Sequence, residues 1–133
     1  MSASNSKEND KSDFFSFNRM LLDEFAKRLP EELAKIVQEE QQKELVDSLK
    51  AAIKELDSNP ADGQYLAQNW LFSFIGNHPQ LTPLVPRDLL WFLGGDCLHF
   101  MTDEEINAFQ KIEDRITENP ELSWVEARRQ SLN

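Results

Sequence analysis

The stretch PRDLLWFLGG, residues 86–95, carries five consecutive apolar side chains, Leu89, Leu90, Trp91, Phe92 and Leu93. Such a run fits a buried helix or a buried strand equally well by periodicity alone. Its surroundings decide. Pro86 suits the first position of a helix, Asp88 the electropositive first turn, and Gly94 with Gly95 the end of one. No alternating segment elsewhere offers this run a partner strand. The reading is therefore helix, and the fold class it implies is all-α.

Outward toward the C-terminus, TDEEINAFQKIEDRI (residues 102–116) is the clearest helix in the chain. Thr102 and Glu105 form a capping box, and Ile106, Phe109, Ile112 and Ile116 recur every three to four residues. Asn119 and Pro120 stop it. Ser123 and Glu126 offer a second capping box for a short terminal helix that docks through Trp124.

Toward the N-terminus, the loop from His78 to Val85, with Pro79 and Pro83, reads as extended. Residues 64–75 (QYLAQNWLFSFI) place apolar side chains around most of a helix's circumference, as in a largely buried helix. Gly76 and Asn77 supply left-handed C-cap chemistry after it. The dense turn cluster from Asp57 to Gly63 separates this half from a more charged one. Within residues 31–57 the apolar positions change phase: Leu33, Ile36 and Val37 share one face, and Leu45, Leu49, Ala52, Ile53 and Leu56 another. Two helices or a kinked one follow, with the break in the polar run Glu39 to Glu44. Before it, Asp13 or Ser16 caps a helix bearing Phe17, Leu21, Leu22, Phe25 and Leu29, and Pro30 restarts the chain. Residues 1–12 are almost wholly polar and read as a disordered tail.

These readings assemble into one compact domain of five to six helices over residues 13–130. Its expected core is Leu21, Leu22, Phe25, Leu66, Trp70, Phe74, Leu90, Phe92, Phe109, Ile112 and Ile116. At 133 residues the chain can bury about two thirds of its extended surface without disulfide or metal staples. No apolar run approaches the ~20 residues that span a bilayer, which argues against a membrane protein. One cysteine and a polar N-terminus without an apolar h-region point to the cytoplasm.

Charge narrows the function classes. The net charge of -10 repels phosphate backbones, so nucleic acid is a disfavoured partner. The carboxylates concentrate in residues 101–122, where seven of them face only Lys111 and Arg115. That face is either a solvating surface or a dock for a basic partner.

The chemistry-bearing residues are few. Cys97 and His99 flank Leu98 after a glycine turn, but side chains two apart on a helix diverge by about 200°, and apolar neighbours suit a structural, buried thiol. A metal site would need Cys97, His99, His78 and a carboxylate to converge, and no metal-ligand or phosphate-loop spacing is present. No cofactor and no metal are expected, and no catalytic residue stands out. Adjacent carboxylates such as Glu104 with Glu105 and Glu113 with Asp114 splay apart on a helix.

The expectation is a cytoplasmic protein-interaction or regulatory module of adaptor type, with a protein partner and with self-association open. Its candidate contact residues are Phe14, Phe15 and Phe17, which either dock into a partner or fold back over the core, Trp91, and the acidic Glu104, Glu105, Glu113 and Asp114. The alternative is a small enzyme or ligand-binding protein with a pocket near His78, Cys97 and His99, walled by Trp70 and Trp91.

Overall fold

The computed structural model describes the backbone of residues 2–132 and the side chains of residues 13–132. All regular structure among the described residues is helical, in one domain: α1 Ser2–Leu33, α2 Glu39–Ser58, α3 Pro60–Asn77, α4 Arg87–Leu93, α5 Asp103–Glu118 and α6 Trp124–Leu132. Two 3-10 helices, Pro79–Leu84 and Gly95–Phe100, flank α4. The tail expected over residues 1–12 lies outside the residues described with side chains.

Leu22, Phe25, Ala26, Leu29 and Leu33 of α1 are buried, a stripe at three- and four-residue spacing. Pro30 does not restart the chain as expected; α1 continues through it to Leu33. Pro30 gives up the bond to the carbonyl four residues earlier, a local cost, but only three helical residues follow it, and its own carbonyl still accepts from Ala34 N–H at 3.0 Å. The break falls at residues 34–38, ahead of the Glu39–Glu44 run. That run instead opens α2, where Glu39 and Glu40 complement the helix N-terminus. Asp13 does not cap α1, which extends past it; its Oδ2 accepts from Val125 N–H at 2.9 Å in the first turn of α6.

Asn59 alone separates α2 from α3, and Pro60 opens α3, so Asp62 and Gly63 are helical rather than part of a turn. The two helices cross closely at Gly63, where a Cβ would land on the backbone Cα and N of Leu56. Phe74, Leu71 and Ile75 of α3 join Leu49, Ile53 and Leu56 of α2 in the core. Gly76 and Asn77 remain helical, without the left-handed cap; the positive-φ glycines are Gly94 and Gly95. Within the His78–Val85 segment, Pro79–Leu84 form a 3-10 helix rather than an extended chain, since both prolines accept its φ.

α4 is the short, almost wholly buried helix that residues 86–95 promised, with Leu89, Leu90, Phe92 and Leu93 inside. Its last carbonyls are satisfied from α3: Gln64 Nε2 donates to Phe92 O at 3.0 Å and Gln68 Nε2 to Leu93 O at 2.7 Å. Gly95 leaves room for that second amide, which a Cβ would strike. The first capping box forms in full, and of the second only the N-cap half forms, the Ser123 hydroxyl also donating to the Glu126 carboxylate at 3.1 Å. Glu105 N–H donates to Thr102 Oγ1 while the Glu105 carboxylate accepts from Thr102 N–H, and Glu126 N–H donates to Ser123 Oγ. Trp124 is buried, as expected of the docking residue. Of the expected core, Leu22, Phe25, Phe74, Leu90, Phe92, Phe109 and Ile112 are buried, while Leu21, Trp70 and Ile116 are half-buried.

Candidate functional site

The main departure from the sequence reading lies on α3. Its apolar residues were expected to be covered on nearly all sides, yet Tyr65 is 63% exposed, Leu66 46% and Phe72 41%. Leu66 is therefore not a core residue. The reason is the layer count. α2 covers one side of α3, and α4 with the second 3-10 helix another, but nothing among the described elements covers the third. At about 100° per residue, Tyr65, Leu66, Asn69, Phe72, Ser73 and Gly76 fall within about 60° of Asn69, forming one continuous outward face. Phe72 extends it to Phe100, whose ring lies 5.5 Å away.

This face lacks charge. From Gly63 to Pro86 no Asp, Glu, Lys or Arg occurs, although such residues make up 29% of the chain. Solvated helix faces elsewhere in the domain carry them freely. A helix that meets solvent with tyrosine, leucine and phenylalanine instead of lysine and glutamate has the composition of an interface centre.

Along one edge of the face runs an open groove of about 420 Å³ between α2 and α3. Trp70 and Phe74 form its floor, stacked at 4.8 Å, and Ser48, Ser73, Asn77 and His78 are among its polar rim. Trp70 is held in place by its indole N–H, which donates to Leu45 O at 3.1 Å and Ser48 Oγ at 3.0 Å. Its walls include Trp70 and His78 but not Trp91, Cys97 or His99.

Cys97 and His99 are kept apart. Cys97 is fully buried with its Sγ 3.5 Å from Gln68 O, whereas the His99 side chain is 77% exposed, 4.0 Å from the Asp96 carboxylate. Burial, with a smaller effect from the Asp96 charge, pushes the thiol up to about 11, so no thiolate is available near neutrality. Among the described residues no group of three His, Cys, Asp or Glu is placed to hold a metal ion.

The three N-terminal phenylalanines lie folded back over the domain. The Phe14 ring meets Trp124 at 4.4 Å and Phe92 at 5.4 Å, both edge-on, Phe15 meets Phe92 at 6.1 Å, and the Arg128 guanidinium sits 5.2 Å over Phe17. Trp91 is half-buried, stacked on Phe109 at 5.6 Å, and its indole N–H donates to the Glu113 carboxylate at 2.8 Å. Glu105 is engaged by Arg87 through two contacts of 2.6 and 2.7 Å. That guanidinium, with help from Thr102, holds the Glu105 carboxyl down at about 2. Glu104 and Asp114 remain exposed on α5, Asp114 accepting from Gln110 Nε2 at 3.3 Å. Sequence reasoning missed Tyr65, Leu66 and Phe72, although the uncharged stretch that contains them was a visible signal.

Three arginines are held by carboxylates of neighbouring helices or turns. Arg19 pairs with Asp57 and Asp23, Arg87 with Glu105, and Arg128 with the buried Asp88.

Residues 10–132 match a known family over nearly the whole chain. The chain belongs to the PA2817-like family. This match takes in the phenylalanines of α1, the exposed face of α3 and the terminal α6, so the domain described above is the PA2817-like unit. No curated protein and no solved structure matches the chain. Among the described residues, no helix is long and apolar enough to cross a membrane.

Proposed function

We propose that this PA2817-like domain is a cytoplasmic protein-interaction module that works by surface complementarity, with the outward face of α3 as its contact surface. The observation that carries the reading is the joint exposure of Tyr65, Leu66 and Phe72 within an uncharged stretch of a strongly acidic chain. Large apolar side chains on one solvent-facing helix are what an interface core requires, and Asn69 and Ser73 among them, with Asn77 beside them, supply hydrogen-bonding groups.

The test compares immobilised wild type with a Tyr65→Glu/Phe72→Glu copy and a Glu104→Lys/Asp114→Lys copy, each shown by circular dichroism to be folded. Proteins retained from source-cell extract are identified by mass spectrometry. A defined protein lost only with the α3 variant supports this reading. Loss only with the α5 variant moves the contact surface to the acidic helix, and identical retention by all three defeats both.

The groove beside Trp70 and His78 favours a second reading, a small uncharged ligand seated between α2 and α3. Trp70 in the floor makes it testable by fluorescence. Saturable quenching by a library compound, abolished by Ala51→Trp at the groove wall, would support it.

A further inference from the structure

The α3 face has a pattern that selects its occupant. Its N-terminal half is bulky, Tyr65 and Leu66; its C-terminal half holds Phe72 beside the small Ser73 and Gly76. A Cβ added at Gly76 would find nothing within 4 Å, so that end is open. Asn69 stands at the centre. An antiparallel two-fold about Asn69 brings each half of the helix against the other half in a second copy. Leu66 then lies over Ser73, and Tyr65 enters the space between Phe72 and Gly76. The two Asn69 amides lie side by side, where each can donate to and accept from the other.

Charge makes the same selection. Two chains of net charge -10 repel wherever their acidic faces approach. The stretch Gly63–Pro86, without an Asp, Glu, Lys or Arg, is where they can meet with the least opposition. An isologous contact requires one patch to be complementary to itself, and this patch is both self-complementary in size and free of like charge.

We infer that the partner of the α3 face is a second copy of this chain, paired α3 to α3, antiparallel, across a two-fold axis at Asn69. This deepens the interaction reading and rests on the same face. Pairing strengthens as salt screens the repulsion between copies, the reverse of a contact made by opposite charges.

Sedimentation velocity on the intact protein, from micromolar to millimolar and at low and high salt, tests it. The expected mass rises with concentration from 15.4 kDa toward twice that value, more readily at high salt. Leu66→Lys, folded by circular dichroism, should stay monomeric. In a Cys97→Ser background, Asn69→Cys should oxidise to a covalent dimer because its Cβ lies beside the axis, while Gln110→Cys on exposed α5 should not. A 15.4 kDa species under every condition overturns the inference, as does a dimer that Leu66→Lys leaves intact. If the chain is monomeric yet loses a defined protein with Tyr65→Glu/Phe72→Glu, self-pairing fails and the interaction reading stands. If that loss is also absent, both fall.

Discussion

Arg128 grips Asp88 through two guanidinium nitrogens at 2.7 and 2.8 Å, joining α6 to the first turn of α4. Asp88 is buried, so the pair sits where an unmatched charge is costly. Arg128→Met should lower stability by about 3 kcal/mol, because it strands the carboxylate. Arg128→Met/Asp88→Asn should recover much of that loss. Urea unfolding of the single and double variants measures the coupling, and additive losses would mean that the pair contributes little.

Acid should weaken the fold through Glu105. Its carboxyl ordinarily titrates at 4.5 and is held at about 2 by Arg87. Below its ordinary value the unfolded chain binds a proton that the folded chain does not, so stability falls as pH drops from about 4.5 toward 2 and is fully present above that window. Asp57, lowered by Arg19, acts in the same direction. Thermal melts of wild type and Arg87→Gln from pH 6 down to pH 2 check it: the variant should lose about 1 kcal/mol near neutrality and show a shallower acid slope.

Two glycines of α3 should respond oppositely to alanine. Gly63→Ala drives a methyl onto the Leu56 backbone and should cost about 2–3 kcal/mol. Gly76→Ala meets open space in a helical backbone and should add roughly 0.5–1 kcal/mol. Denaturation midpoints of the two variants give both signs in one experiment.

Cys97 should be inert to thiol reagents while the protein is folded. With Sγ fully buried and the thiol at about 11, labelling at neutral pH should run roughly a hundred-fold slower than in urea-unfolded chain. A native rate close to the unfolded one would show that the second 3-10 helix opens readily.

What was legible in the sequence was whatever local chemistry dictates. The Thr102–Glu105 and Ser123–Glu126 boxes are self-contained within four residues, and Gly94–Gly95 could end α4 because only glycine takes two positive φ angles in a row at no cost. The phase change after Leu33, Ile36 and Val37 pointed to two helices or a kinked one over residues 31–57 with the break in the Glu39–Glu44 run; the break lies at residues 34–38, because α1 carries on through Pro30 to Leu33 and Glu39 already opens α2. The exposed face of α3 was not legible. An apolar circumference says how much of a helix could be covered, and only the packing of α2 and α4 says which third is left open. Nor could spacing announce that Asp13 caps a helix 112 residues away, or that Arg128 pairs with Asp88.

That distant cap sets a timetable for synthesis. Phe14 rests on Phe92 and Trp124, and the Asp13 carboxylate completes the first turn of α6. The start of the first helix to leave the ribosome thus gains its final partner from the last. Phe92 of α4 reaches the aromatic end of α1 earlier, but the Trp124 side of that contact is in place only once α6 has cleared the exit tunnel. A stalled or C-terminally truncated chain would leave Phe14, Phe15 and Phe92 uncovered together, an apolar surface of the kind that chaperones and proteases recognise.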